Sequence, residues 1–123
     1  MQNPLAVALG AAFVAIGTGA ILAPRPSAGQ YGLPTDDPTA LALVRALGAR
    51  DITIGASLLA NRTDRPALAR ICFWGTITAL ADAAAVGSVR GPQPQQIIHL
   101  SGAAALGLAA LALRKPLPPT PDA

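Results

Sequence analysis

From Leu5 to Ala23 the chain runs nineteen residues (LAVALGAAFVAIGTGAILA) without one charged side chain. About 20 mostly apolar residues wound as helix are what it takes to cross the hydrocarbon core of a bilayer. This run therefore narrows the fold before anything else is considered. Three further segments follow it: 39–60, which holds Arg45, Arg50 and Asp51; 67–87, with Arg70 near its start and Asp82 near its end; and 97–113, in which His99 is the one ionisable group. The expected fold is all-α, a four-helix transmembrane bundle with helices at 5–23, 39–60, 67–87 and 97–113, followed by a Pro-rich disordered tail over 114–123.

Composition closes off the alternatives. The chain has 123 residues, 52% of them hydrophobic and only 12% charged, and no Glu. Soluble domains carry about 25% charged residues, and disordered chains are less apolar still. A soluble Ala-rich bundle needs a polar stripe along each helix, which the first and fourth segments lack. A cleaved signal peptide carries a basic stretch ahead of its apolar run, and residues 1–4 hold no Lys or Arg. The single Cys72 cannot close an internal disulfide.

The segments are joined by breaker-rich connections. Residues 24–38 (PRPSAGQYGLPTDDP) hold four prolines and two glycines, NRTDRP (61–66) is a polar hairpin, and RGPQPQ (90–95) a further turn. Asp64 ahead of Pro66 reads as the cap that starts the third helix. With four spans, both termini and the 61–66 hairpin share one side. That side carries five basic residues (Arg62, Arg65, Arg70, Arg114, Lys115) against two (Arg25, Arg90) on the other. The positive-inside rule then makes both termini cytoplasmic, in a bacterial-type cytoplasmic membrane. The net charge of +3 is accounted for by topology, so nucleic acid is not an expected partner; the lipid bilayer is.

Apolar burial cannot drive helices together in lipid, so close backbone approach and internal hydrogen bonds must. Gly10 and Gly17 lie seven apart on the first helix, Gly48 and Gly55 seven apart on the second, and Gly102 and Gly107 on the fourth. These are packing glycines; none opens a phosphate loop, because no strand precedes them.

Charges at membrane depth cost roughly 2.5–3.5 kcal/mol each at mid-helix and persist where they pair or line water. Counting about 1.5 Å per residue from the outer boundaries puts Arg45 roughly 9 Å deep, Asp82 roughly 7 Å, His99 roughly 3 Å, and Arg50 and Asp51 roughly 16–18 Å. Depth thus pairs Arg45 with Asp82, in a polar pocket opening outward and narrowing toward Arg50 and Asp51. Helical phase places Arg50, Thr53 and Ser57 on one face, Gly75, Thr78 and Asp82 on another, and Gln95 with His99 on a third. Arg50 and Asp51, as sequence neighbours, point about 100° apart, so one of them needs a partner on another helix. The candidate ligand-binding residues are Arg45, Arg50, Asp51, Asp82 and His99. For catalysis the candidates are Asp51, Asp82, Arg50 and His99. Trp74 and Tyr31 read as packing and interfacial anchors, and Cys72 as a packing residue. One His and one Cys make no metal set, no nucleophile elbow surrounds Ser57 or Ser101, and no cofactor is expected.

Taken together, YGLP (31–34), GARDITIG (48–55), ALADAAAVG (79–87) and His99 at the head of the last helix resemble a family of small four-span membrane proteins, known only as domain of unknown function 4267. The resemblance covers most of residues 5–113, and its most specific element is the Gly-x-Arg-Asp step at Gly48–Asp51. It implies the four-span fold, singles out Arg50, Asp51, Asp82 and His99, and implies no reaction. Two classes of function remain. The first is a membrane protein whose polar cluster pins the bundle and holds a small lipophilic ligand. The second is a membrane-embedded acid–base enzyme of hydrolase or isomerase type, such as an epoxide-opening one, with one Asp as base, the other as acid and an Arg between them. Oligomerisation of the chain with itself stays open under either.

Overall fold

The structure is a computed structural model in which residues 2–90 and 94–115 are described, with side chains for all of these but 86–90, 94 and 95. The described residues form five helices: α1 (Pro4–Leu22), α2 (Pro24–Gln30), α3 (Pro38–Ala60), α4 (Arg65–Arg90) and α5 (Pro94–Arg114). Three of them, over Pro4–Leu22, Arg65–Ala85 and Gln96–Arg114, are long and apolar enough to cross a membrane. At 23 residues α3 is longer than α1, but Arg45, Arg50 and Asp51 keep it out of that apolar class.

The helices α1, α3 and α4 each start where a short polar side chain satisfies backbone N–H groups that have no partner within the helix. Asn3 Oδ1 accepts from the N–H groups of Leu5 and Ala6 at 3.1 and 3.2 Å. Asp37 accepts from Thr39 and Ala40 at 3.0 and 3.3 Å. Asp64 accepts from Ala67 at 2.9 Å, as its position ahead of Pro66 predicts. Proline follows directly at Pro4 and Pro38, where its missing N–H costs nothing.

The 24–38 connection is more ordered than its breakers suggest, because it contains α2. Pro24 and Pro26 both fall in that helix's first turn, the one place where proline is tolerated. The helix stops in a Schellman motif: the Leu33 N–H donates to the Ala28 carbonyl at 2.9 Å and the Gly32 N–H to Gly29 at 3.0 Å. Gly32 takes φ 64°, a left-handed conformation costly to any residue with a Cβ. Elsewhere the helices outrun their expected bounds by a few residues, α4 starting at Arg65 and α5 at Pro94. Arg114, placed in the tail by sequence, is the last residue of α5; residues 116–123 of that tail lie outside the described residues.

Two antiparallel hairpins result. In the first, α1 and α3 meet at two glycine crossings, Gly10 with Gly55 and Gly17 with Gly48. A Cβ on Gly55 would stand 2.6 Å from the Gly10 carbonyl oxygen, and one on Gly48 2.6 Å from that of Gly17. The seven-residue spacing on each helix is what brings both pairs into register. In the second hairpin α4 lies against α5, with Leu106 packed on Gly75 and Thr76 beside Gly107. Gly102, expected to pack as well, meets open space.

The hairpins join at one end through Ala6 and Leu58 of the first and Leu68, Cys72, Leu106, Ala109 and Leu113 of the second. A smaller cluster, Ala20, Ala28, Leu41 and Val44 with Tyr31 and Leu33 against it, holds α2 to the other end of α1 and α3. The Asn3 N–H donates to the Arg62 carbonyl at 2.8 Å. Arg65 Nη2 donates to the carbonyls of Ala112, Leu113 and Lys115 at 3.1–3.3 Å. The start of α1, the 61–66 hairpin and the end of α5 therefore occupy the same end of the bundle.

Candidate functional site

Asp51 lies three residues after Gly48 and four before Gly55, so it shares the face of α3 that packs on α1, and only 8% of it is exposed. Arg50, one position back, projects from the neighbouring face toward α4. Its long side chain overcomes the 100° divergence by curling: Nε and Nη2 both donate to Asp51 Oδ1, at 3.2 and 2.9 Å. Nη1 donates to Asp82 Oδ2 across the gap between α3 and α4. A single guanidinium thus ties two carboxylates from two helices.

The network continues onto α5 and the turn after α2. His99, also 8% exposed, places Nδ1 3.9 Å from Asp82 Oδ2, an electrostatic neighbour rather than a hydrogen bond. Tyr31 stacks on the His99 ring with centroids 5.5 Å apart and planes 17° from parallel. Gln96, one turn before His99, donates from Nε2 to the Ala83 carbonyl at 2.9 Å, fastening α5 to α4 beside the network. Burial first, and then the negative charge of Asp51, push the Tyr31 phenol above its ordinary value of 10.0. The phenol is therefore neutral at physiological pH.

Arg45 does not join the group. The Arg45–Asp82 pair expected from depth is replaced by Arg50–Asp82, and Arg45 is exposed. Phase is the reason: five residues rotate a helix by about 140° from a whole number of turns, so Arg45 faces away when Arg50 faces α4. The curled Arg50 side chain still reaches across to Asp82 with its remaining terminal nitrogen, Nη1. Of the five residues proposed from sequence, the structure brings together Arg50, Asp51, Asp82 and His99.

Beside this network a groove of about 710 Å³ runs between α3 and α4. Arg50, Thr53 and Ser57 line it from α3, and Arg70, Ile71, Trp74, Gly75 and Thr78 from α4. The two faces deduced from helical phase thus meet across one space. Its course differs from the expected one: it extends from Arg50 toward Asn61 and Ala67, away from the Tyr31 end, and Asp51, Asp82 and His99 are not among its lining residues. The hydroxyls of Thr53 and Thr78 donate to the Ala49 and Trp74 carbonyls at 2.9 and 3.0 Å, which leaves their oxygens to face the groove as acceptors. Arg50 has five N–H donors and uses three on the two carboxylates.

Sequence reasoning missed Tyr31 and the hairpin end of the groove. The signal for Tyr31 was the Tyr-Gly-Leu step, a helix stop that fixes the tyrosine at the close of α2. For Arg70 it was the Arg70–Trp74–Thr78 spacing, which puts all three on one face of α4. Among the described residues no group of three His, Cys or Asp side chains converges as a metal set.

No curated protein and no solved structure matches this chain. The family model "Domain of unknown function (DUF4267)" matches residues 10–113, which take in both glycine crossings, the Arg50 network and the whole groove. This helical chain, with three helices apolar enough to span a membrane, belongs to the DUF4267 family.

Proposed function

We propose that this protein is a small integral membrane protein with four spanning helices and cytoplasmic termini. Its Arg50 network pins two helical hairpins together beside a groove that holds a small lipophilic ligand. The observation that carries this reading is the Arg50 guanidinium, shared between Asp51 and Asp82 while also lining the groove. Two features support α3 as the fourth span. It lies antiparallel along α1 through both glycine crossings, and its deepest charges are neutralised within the bundle rather than left to lipid. The start of α1, the end of α5 and the 61–66 hairpin share one end, and the basic excess there supports the orientation.

The test is native mass spectrometry of the protein extracted from its membrane in mild detergent. The expected result is a co-purifying lipophilic mass that is lost on Ile71→Trp, a substitution that fills the groove. Extraction of folded protein without any such mass, in every detergent that preserves its thermal transition, refutes ligand binding. A second reading, an acid–base enzyme, is favoured by one feature: Arg50 holds two carboxylates close together, one to serve as base and the other as acid. Comparing lipophilic metabolites in membranes carrying the natural chain or Asp51→Asn discriminates the two. Accumulation of one substrate with the variant supports an enzyme, and identical profiles refute it.

A further inference from the structure

The groove has chemically distinct ends. At the inner end is Arg50, which already serves two carboxylates; three charged groups with one positive charge among them do not attract a further anion. At the hairpin end is Arg70, exposed and, among the described residues, without a carboxylate in ion-pair range. The neighbouring arginines are committed elsewhere. Arg62 donates to the Leu59 carbonyl at 2.9 Å, Arg65 to the end of α5, and Arg114 lies 5.4 Å over the Phe73 ring. Asp64, the one acid of the hairpin, caps α4.

Between the ends run Ile54, Ile71, Trp74 and Gly75, an apolar wall. From Arg70 to Thr78 the helix advances about 12 Å. The volume of about 710 Å³ falls within the roughly 300–1,000 Å³ of small-molecule sites. Arg70 sits five residues into α4, close enough to the membrane surface to meet a lipid-borne head group.

We infer that the groove seats a single-chain amphiphile with a carboxylate head. The head pairs with Arg70, whose planar fork matches a carboxylate in bidentate geometry. The chain lies along Ile71 and Trp74 toward Arg50. This rests on the reading of the groove as a ligand site and adds the ligand's charge, its polarity and the direction in which it lies.

Trp74 is the chain's single tryptophan and lines the groove, so its fluorescence reports occupancy directly. The probe is stearic acid brominated at mid-chain, titrated into the full-length protein in phosphatidylcholine nanodiscs, with the methyl ester of the same acid as the uncharged arm. Saturable quenching is expected, with the acid binding at least roughly tenfold more tightly than the ester. Arg70→Gln should abolish that difference without altering the ester's affinity or the helical circular dichroism. Acid and ester quenching alike, saturably and regardless of Arg70, would overturn the carboxylate assignment while leaving a lipophilic groove. Quenching that never saturates and only tracks the probe's mole fraction, as for brominated phosphatidylcholine, would overturn both. A Trp74 shielded from brominated phosphatidylcholine, in particles with the mass of two chains, would show that a second copy fills the groove and would overturn the inference.

Discussion

Replacing Arg50 by Met keeps the aliphatic stem but removes the one cation that Asp51 and Asp82 share. Breaking a fully buried ion pair costs about 3–5 kcal/mol, because a charge is left without its partner. Here the Arg50 and Asp82 side chains are 29% and 21% exposed, so the cost is scaled down to about 2 kcal/mol. The two partners are not equivalent. Asp82→Asn leaves Arg50 still bound to Asp51, whereas Arg50→Met strands two carboxylates, so the arginine substitution should be the more damaging. The double-mutant cycle of Arg50→Met with Asp82→Asn, read by unfolding in detergent, should show a coupling of roughly 1–2 kcal/mol. The parallel cycle of Arg45→Met with Asp82→Asn should show none. Coupling near zero for Arg50 with Asp82, or equal coupling for both arginines, would refute the phase argument that assigns this partner.

The glycine crossings predict that Gly48→Ala, whose Cβ would stand 2.6 Å from the Gly17 carbonyl oxygen, lowers the thermal midpoint markedly. Gly102→Ala, facing open space, should raise stability by up to about 1 kcal/mol; the reverse order would refute the packing. Gly32→Ala should cost about 1–2 kcal/mol through its left-handed φ and loosen hydrogen-exchange protection at Leu33, and unchanged protection would count against the Schellman stop. The single Tyr31 should ionise in an ultraviolet titration at higher pH than free tyrosine. With the folded phenol above the unfolded one, its stabilising contribution is complete below pH 10 and is lost as pH rises through the folded value; an ordinary phenol titration in folded protein would refute its burial. A reporter fused after Ala123 should be active only on the cytoplasmic side, and activity outside would overturn the orientation.

The long helices were legible because each rests on local chemistry. Asp64 reads as a cap by residue type and position, and runs of membrane length with few or no charges admit few alternatives; the caps at Asn3 and Asp37 emerged with the structure. The packing role of the glycines was legible as well, from their seven-residue spacings; that those of α1 and α3 meet at two crossings is what the structure adds. What depth alone could not give was the choice between two arginines for Asp82. Counting residues makes Arg45 and Asp82 nearly level, but the glycine face of α3 at Gly48 and Gly55 is held by α1, and that rotation turns Arg50 rather than Arg45 to α4. That rotation is a tertiary fact, set by α1. The α2 helix was hidden for a different reason: proline reads as a breaker unless its place within the first turn is known, and seven residues are too few to show a period.

The network's place between the hairpins, rather than within one, follows from how each hairpin is built. The first is held by backbone approach at glycines, and the second by small residues and Leu106 fitted onto Gly75. Neither needs an ion pair. Between the hairpins, apolar packing is concentrated at the end that holds the start of α1 and the end of α5, and beside it α3 and α4 part to form the groove. Apolar contact is a weak constraint there, because lipid solvates the separated faces as well as they solvate each other. A three-centre ionic contact is directional and finds no equivalent in lipid, so it sets the distance between α3 and α4 at the groove's inner end. The width of the groove and the integrity of the Arg50 network are therefore one property. A substitution at Asp82, although outside the groove lining, should change what the groove admits.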